Sequence, residues 1–388
     1  MPSRSEHDDF SFYRKESHMM VAANLRLVAA WATALVSLVA GASIAYLPAA
    51  AAIPCFLWLL GVIIWAAFGV VHEAEELAER LGEPRGTLVL TLSIVIIEVA
   101  LISAVMLGSE SVPTLGRDTM YAVLMIVLNG VVGLGLLVGG LKYHQQSYNL
   151  QAAGSYLAII IPLAVIALVL PSYTTSTSAG TLSVYQSLFF SLFTVALYGM
   201  FLWLQTGRHR GFFAPVGGAE ATADADSGRA LPHHGIAEGS TGRHVVLLLA
   251  NILPIVILSK GLAKLLDRGI AEFDAPPALG GIIIAMIVFT PEAISALKAV
   301  AVNQLTRAIN LCLGAAASTL GLTVPAVLLI GLWTGQPVVL GLSATNIVLL
   351  AVTLILNTLT FSGTRTTMLE GAVHLTMFLV FLVLVFSP

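Results

Sequence analysis

Apolar residues run through this chain in long blocks, broken by short polar joints. A helix crosses a bilayer in about 20 such residues. The blocks predict eleven transmembrane helices, near 22–46, 48–71, 86–108, 119–140, 155–172, 183–205, 244–266, 278–300, 308–333, 337–358 and 367–387. No block shows the short alternation of barrel strands, so the pattern predicts an all-α membrane protein. About twenty mixed polar residues, Glu6, Asp8 and Asp9 among them, precede the first block. That block is longer than a 7–15-residue secretory core, and it reads as a leading membrane helix.

Composition agrees with this reading. Of 388 residues 57% are hydrophobic and 10% are charged, with mean hydropathy +0.93. Soluble domains carry about 25% charged residues, so a soluble enzyme, a nucleic-acid binder and a disordered scaffold are excluded. Cys55 and Cys312 both fall in apolar runs and indicate neither a disulfide framework nor a thiolate metal site.

Basic residues orient the chain. With a cytoplasmic N-terminus, that side holds Arg4, Arg14, Lys15, Arg26, Arg80, Arg85, Lys142, Arg208, Arg210, Arg229, Arg243, Lys298, Arg307 and Arg365. The other face keeps only Arg117, Lys260, Lys264 and Arg268 of the 18 basic residues. This is the positive-inside distribution, and it places the C-terminus outside. The hydrophilic stretch 206–243, rich in Gly, Ala, Ser and Asp, reads as a flexible cytoplasmic linker.

The linker divides the helices. The expected organisation is a tail and leading helix (1–46), five helices (47–205), the linker (206–243) and five more helices (244–388). The two sets match in layout. Each opens with a helix ending in a charged stretch, His72 to Arg85 and Lys260 to Asp274, followed by a Pro/Gly break. The next helix in each set carries one glutamate, and the one after it is rich in small residues. Five is odd, so the second set is inserted upside down: an inverted repeat, whose binding site is expected at the midplane between the halves.

Other charges near these spans sit at helix ends, where they can reach water. Glu98 and Glu292 do not: Glu98 lies about 12 residues, or roughly 18 Å, into its span, and Glu292 about two turns into its own. A charge at the membrane centre costs at least about 2.5–3.5 kcal/mol, so such residues are read as functional. Two carboxylates supply hard oxygen ligands that neutralise a divalent ion. Pro291 removes a helical N–H beside Glu292 and frees a carbonyl. Asn129, Ser318, Thr319 and Ser295 are candidate accessory oxygens. Two close carboxylates cannot both stay charged without a cation or protons. Cation and proton therefore compete for one site, with Glu98 and Glu292 the shared cation and proton ligands. Glu73, Glu75 and Glu76 either gather cations at the cytoplasmic mouth or form a solvated helix face.

Longer motifs resemble a known family. His72-Glu73-Ala74-Glu75-Glu76-Leu77-Ala78, Gly82-Glu83-Pro84-Arg85-Gly86-Thr87 and Leu128-Asn129-Gly130 are similar to stretches of the bacterial calcium/proton antiporters of the cation exchanger family. So are Gly139 to Gln146, Pro291 to Ala296, Arg307 to Leu311 and Leu320 to Pro325. The resemblance implies a leading helix with two inverted five-helix repeats, and it maps the family's two central glutamates onto Glu98 and Glu292. It implies calcium as the cation exchanged for protons, with sodium and potassium associated with the nearest bacterial branch. It implies no cofactor, and a bacterial inner membrane as the location. The family's Gly-Asn pair before each glutamate is replaced here by Ile94-Val95 and Val288-Phe289.

A glutamate-lined cation channel is the alternative, although channels usually surround an axis with several like units. No H-E-x-x-H, Ser/Lys or nucleotide-binding motif points to an enzyme or an ATP-driven pump. The orientation is testable. A phosphatase reporter, active only outside the cytoplasm, is expected to be silent when inserted in 206–243 and active when fused after the last helix.

Overall fold

A computed structural model of the chain describes residues 24–41, 47–82, 85–106, 113–178, 180–207 and 241–387. The N-terminal tail and most of the expected linker lie outside these residues.

Eleven helices follow one another among the described residues. They are α1 (Asn24–Ala40), α2 (Ala49–Leu81), α3 (Arg85–Met106), α4 (Leu115–Tyr143), α5 (Leu150–Ser172), α6 (Val184–Thr206), α7 (Thr241–Glu272), α8 (Ala278–Ala301), α9 (Leu305–Thr334), α10 (Ala344–Thr360) and α11 (Met368–Phe386). Eight are long and apolar enough to cross a membrane. Three apolar stretches are shorter: Asn24–Ala40, Leu88–Ala104 and Ala344–Thr360. Large apolar side chains such as Leu192, Phe193, Trp203, Val348 and Val383 are exposed, as helices facing lipid require.

Helix starts follow local chemistry. The Asn149 side chain accepts from the Gln151 and Ala152 amides at the head of α5. Ser183 with Gln186 and Thr367 with Glu370 form reciprocal capping boxes on α6 and α11. Glu370 is thus a capping residue at a helix end. The α4–α5 and α10–α11 joints meet in a two-residue antiparallel pairing of β1 (Gln146–Ser147) with β2 (Arg365–Thr366).

The 33-residue α2 and 32-residue α7 outrun a bilayer core of about 30 Å at 1.5 Å per residue, and they pack along each other. α1 leans on this pair, and the Trp31 indole donates to the Ala250 carbonyl at 3.0 Å. The stretch His72 to Arg85, read from the sequence as a solvated helix face, is only partly so. Glu73 turns inward, 6% exposed, and sits 2.8 Å from His244 Nδ1 on α7. His72 and Glu79 remain exposed.

Three helices contain a π-helical turn, at Ile126–Val131 in α4, Val165–Val169 in α5 and Thr319–Thr323 in α9. Two of these organise the centre. α3, which carries Glu98, packs on the α9 turn, and α8, which carries Glu292, packs on the α4 turn. Each glutamate helix therefore crosses a widened turn in the other half of the chain.

α4 and α11 approach closely because glycines line their crossing. A Cβ on Gly371 would fall on the Leu137 amide and the Gly133 carbonyl, both backbone atoms that cannot swing away. Gly371→Ala is expected to destabilise the protein by about 1–3 kcal/mol, the usual cost of overpacking. Gly154→Ala, on a helix face with open space, is expected to cost nothing. Thermal unfolding in detergent checks the contrast.

Candidate functional site

Glu98 sits at the centre of α3, 1% exposed. Its Oε2 accepts hydrogen bonds from Thr323 Oγ1 at 2.7 Å and Thr319 Oγ1 at 3.1 Å, both from the π-helical turn of α9. Its Oε1 is buried without a partner. Glu292, on α8 just after Pro291, is close enough to Glu98 for the two to interact electrostatically. Its Oε2 is also buried and unpartnered. Two carboxylates thus lie within electrostatic reach of each other with one unmet oxygen apiece, in a setting where an unmet charge is costly.

The two differ in access. Glu98 is sealed, whereas Glu292 lines a cavity of about 710 Å³. The walls include Leu90, Thr91 and Ile94 of α3, Tyr198 and Gln205 of α6, and Arg307, Asn310 and Ser318 of α9. Gln205 Nε2 donates to Tyr156 Oη at 2.8 Å on one wall. Tyr198 rests against Gly321, where a Cβ would stand 2.6 Å from the tyrosine Cβ and 2.7 Å from its ring, so the glycine lets α6 close over the π-helical turn.

The candidate accessory residues separate. Thr319 meets Glu98 directly. Ser318 lines the cavity, and its hydroxyl donates to the Ala315 carbonyl at 3.0 Å, which leaves its oxygen lone pairs available. Ser295 is half-buried one turn beyond Glu292 and is not part of the cavity lining. Asn129 points elsewhere: its Nδ2 donates to Thr353 Oγ1 at 2.8 Å, and its Oδ1 lies 3.1 Å from His374 Nδ1. Ser93 and Ser103 give their hydroxyl protons to the Val89 and Val99 carbonyls of their own helix. Glu73 is taken up by His244, while Glu75 and Glu76 are half-buried. Among the described residues no group of three His, Cys, Asp or Glu side chains comes together to hold a metal, so any cation here must be completed by hydroxyl and carbonyl oxygens.

Thr323 was not singled out in the sequence, although it stands four residues after Thr319 on the same helix. His374 was missed as well. It is fully buried in α11, with Nε2 3.0 Å from Thr360 Oγ1. Asn129 offers it an oxygen, so Nδ1 carries the proton and Nε2 accepts from Thr360. The Leu128 carbonyl also lies within reach of the imidazole, whose one Nδ1 proton it shares with Asn129. In the π-helical turn the Val132 amide reaches the Val127 and Asn129 carbonyls and bypasses that of Leu128, and the imidazole satisfies the group the turn leaves over. The opposite side of this turn, Val127 and Val131, walls Glu292.

Comparison with known proteins fits this geometry. The family model described as "Sodium/calcium exchanger protein" matches residues 51–207 and 243–387. A "Sodium-potassium/proton antiporter ChaA" of Escherichia coli is 40% identical over 330 residues, 85% of this chain and 87% of that protein. A "Putative ionic transporter y4hA" of Sinorhizobium fredii is 39% identical over 84% of this chain and 87% of its own length. Among solved structures, native YfkE aligns with TM-score 0.69 at 17% identity, covering 94% of this chain and all of that one. The H+/Ca2+ exchanger CAX aligns with TM-score 0.65 at 16% identity, covering 93% and 88%. The chain belongs to the sodium/calcium exchanger protein family and is an integral membrane transporter.

The buried network of α4, α10 and α11 can be tested apart from transport. His374→Leu strands the Leu128 carbonyl and the Thr360 hydroxyl and is expected to lower stability by about 1–3 kcal/mol per stranded group. Thr376→Ala, on the exposed side of α11, is expected to leave the unfolding temperature unchanged.

Proposed function

We propose that this chain is a secondary antiporter that exchanges a metal cation for protons by alternating access, with Glu98 and Glu292 as the ligands that cation and protons share. The observation that carries this reading is a pair of electrostatically coupled carboxylates, each with a buried oxygen that no donor among the described residues satisfies. Such a pair is stable only when a cation or protons neutralise it. One divalent ion replaced by two protons keeps the site neutral, and so does one monovalent ion held together with one proton. The empty, doubly charged pair is too costly to reorient, so cation and proton movements are coupled. Thr319, Thr323 and Ser318 supply hydroxyl oxygens to the same site. A channel reading has no observation in its favour.

The architecture proposed with it is a leading helix α1 followed by two inverted repeats, α2–α6 and α7–α11, joined by the 206–243 cytoplasmic linker. Three observations support it: the separate family matches on either side of the linker, the paired long helices α2 and α7, and the reciprocal packing of α3 and α8 on π-helical turns of the opposite half. In the orientation implied by the basic residues, the cavity above Glu292 opens to the cytoplasm, since Gln205, Asn303 and Arg307 lie at its outer end. The chain then faces inward, in a bacterial inner membrane.

Calcium is the expected cation from the family resemblance. Sodium and potassium enter the reading because the Escherichia coli relative is named for them, and a relative from Aphanothece halophytica is named a Ca(2+)/H(+) antiporter. In reconstituted vesicles with an imposed pH gradient, at least one of calcium, sodium and potassium is expected to dissipate that gradient. Glu98→Gln and Glu292→Gln are each expected to abolish the response while the protein still folds and inserts. Proton-driven cation transport that survives either change would sink the shared-site mechanism.

A further inference from the structure

The cavity that leads to Glu292 has an unexpected electrostatic profile for a cation path. Among the described residues that line it, two are charged: Glu292 and, in the first turn of α9, Arg307. Arg307 is exposed, in the first turn of α9, and a cation on its way in passes a fixed positive charge. Glu75, half-buried near the end of α2, lies within electrostatic range of Arg307, with Glu76 and Glu79 of the same helix close behind it. Glu75 partly offsets the guanidinium from the other half of the chain.

Distance confines Arg307 to the approach. Arg307 and Ser318 are eleven residues apart on α9, so about 16 Å of helix separates the mouth from the carboxylates. That is about two screening lengths at physiological salt. A charge so placed changes how often a cation reaches the floor and leaves its binding there almost untouched. Its energy scales with the charge of the passing ion, so a penalty that halves the access of a monovalent ion quarters that of a divalent one.

We infer that Arg307 is a specificity-determining residue, a charge filter at the cytoplasmic mouth that favours monovalent over divalent cations in access to Glu98 and Glu292. The inference rests on the antiporter reading and adds the residue that biases substrate class. Nothing in the carboxylate pair itself discriminates against calcium. The filter acts before the site, through charge number rather than ion size.

The test is exchange by the full chain in reconstituted vesicles at low ionic strength, with potassium and calcium compared. Arg307→Gln is expected to raise kcat/KM about twofold for potassium and about fourfold for calcium, with kcat unchanged for both. In logarithms the calcium effect is twice the potassium effect. Arg307→Lys is expected to behave as the parent, and Arg307→Glu to extend both changes in the same direction. Glu75→Gln, which leaves the guanidinium unopposed, is expected to move both ions the opposite way in the same two-to-one proportion. Raising ionic strength is expected to erase all of these differences. Equal effects on the two ions, or effects that persist at high salt, would mean that Arg307 acts structurally and would overturn the filter. A parent protein that exchanges neither ion, nor sodium, overturns the antiporter reading itself, and the filter with it.

Discussion

Two carboxylates held together inside a membrane impose the constraint on which the rest of this structure depends. Glu98 is sealed from the surface, and among the described residues neither it nor Glu292 is paired with a basic side chain. Thr319 and Thr323 satisfy one oxygen of Glu98, and one oxygen on each residue is left without a partner. The protein tolerates this only by leaving the pair open to neutralisation from outside. On the antiporter reading, that incompleteness is the coupling device. A site fully satisfied by its own protein would have no need of either ion.

The surrounding packing serves to hold that pair at fixed separation. π-helical turns in α4 and α9 re-aim side chains where the glutamate helices cross, and each leaves a carbonyl bypassed by its own helix. On the α4 side, His374 takes up the spare Leu128 carbonyl and ties α4 to α10 and α11 through Asn129, Thr353 and Thr360. Close glycine contacts between α4 and α11 hold the same wall from behind. Polar groups on the far face of a helix thereby stabilise the apolar face, Val127 and Val131, that borders Glu292.

The two glutamates are unequally placed. Glu98 has hydroxyl partners and no opening, while Glu292 has an opening and no hydroxyl partner. Such inequality is what a single conformation of an alternating-access protein would present, with one side closed by packed helices and the other reached through a cavity. α2 and α7 run beside both halves, and the buried Glu73–His244 contact joins them on the side where the cavity opens. Closure of that cavity would therefore involve the same long helices.

By itself, the sequence determined the class of the protein and the identity of its two central acids. Eleven helical blocks and an uneven distribution of basic residues between the joints can be read from hydropathy and charge. Glu98 and Glu292 stood out because charge within a span is too costly to be incidental. Accessory residues were a different matter, since Ser, Thr and Asn in membrane helices bond their own backbone as readily as a neighbour or an ion. Only the tertiary structure decided that Thr319 and Thr323 meet Glu98, that Asn129 turns away to His374, that Glu73 pairs with His244, and that Arg307 stands at the mouth of the cavity. Each of those outcomes depends on which helix faces which across some 150 to 250 residues of chain, as the separations of 171, 221, 225 and 245 residues show. Local periodicity carries no information about contacts at that range.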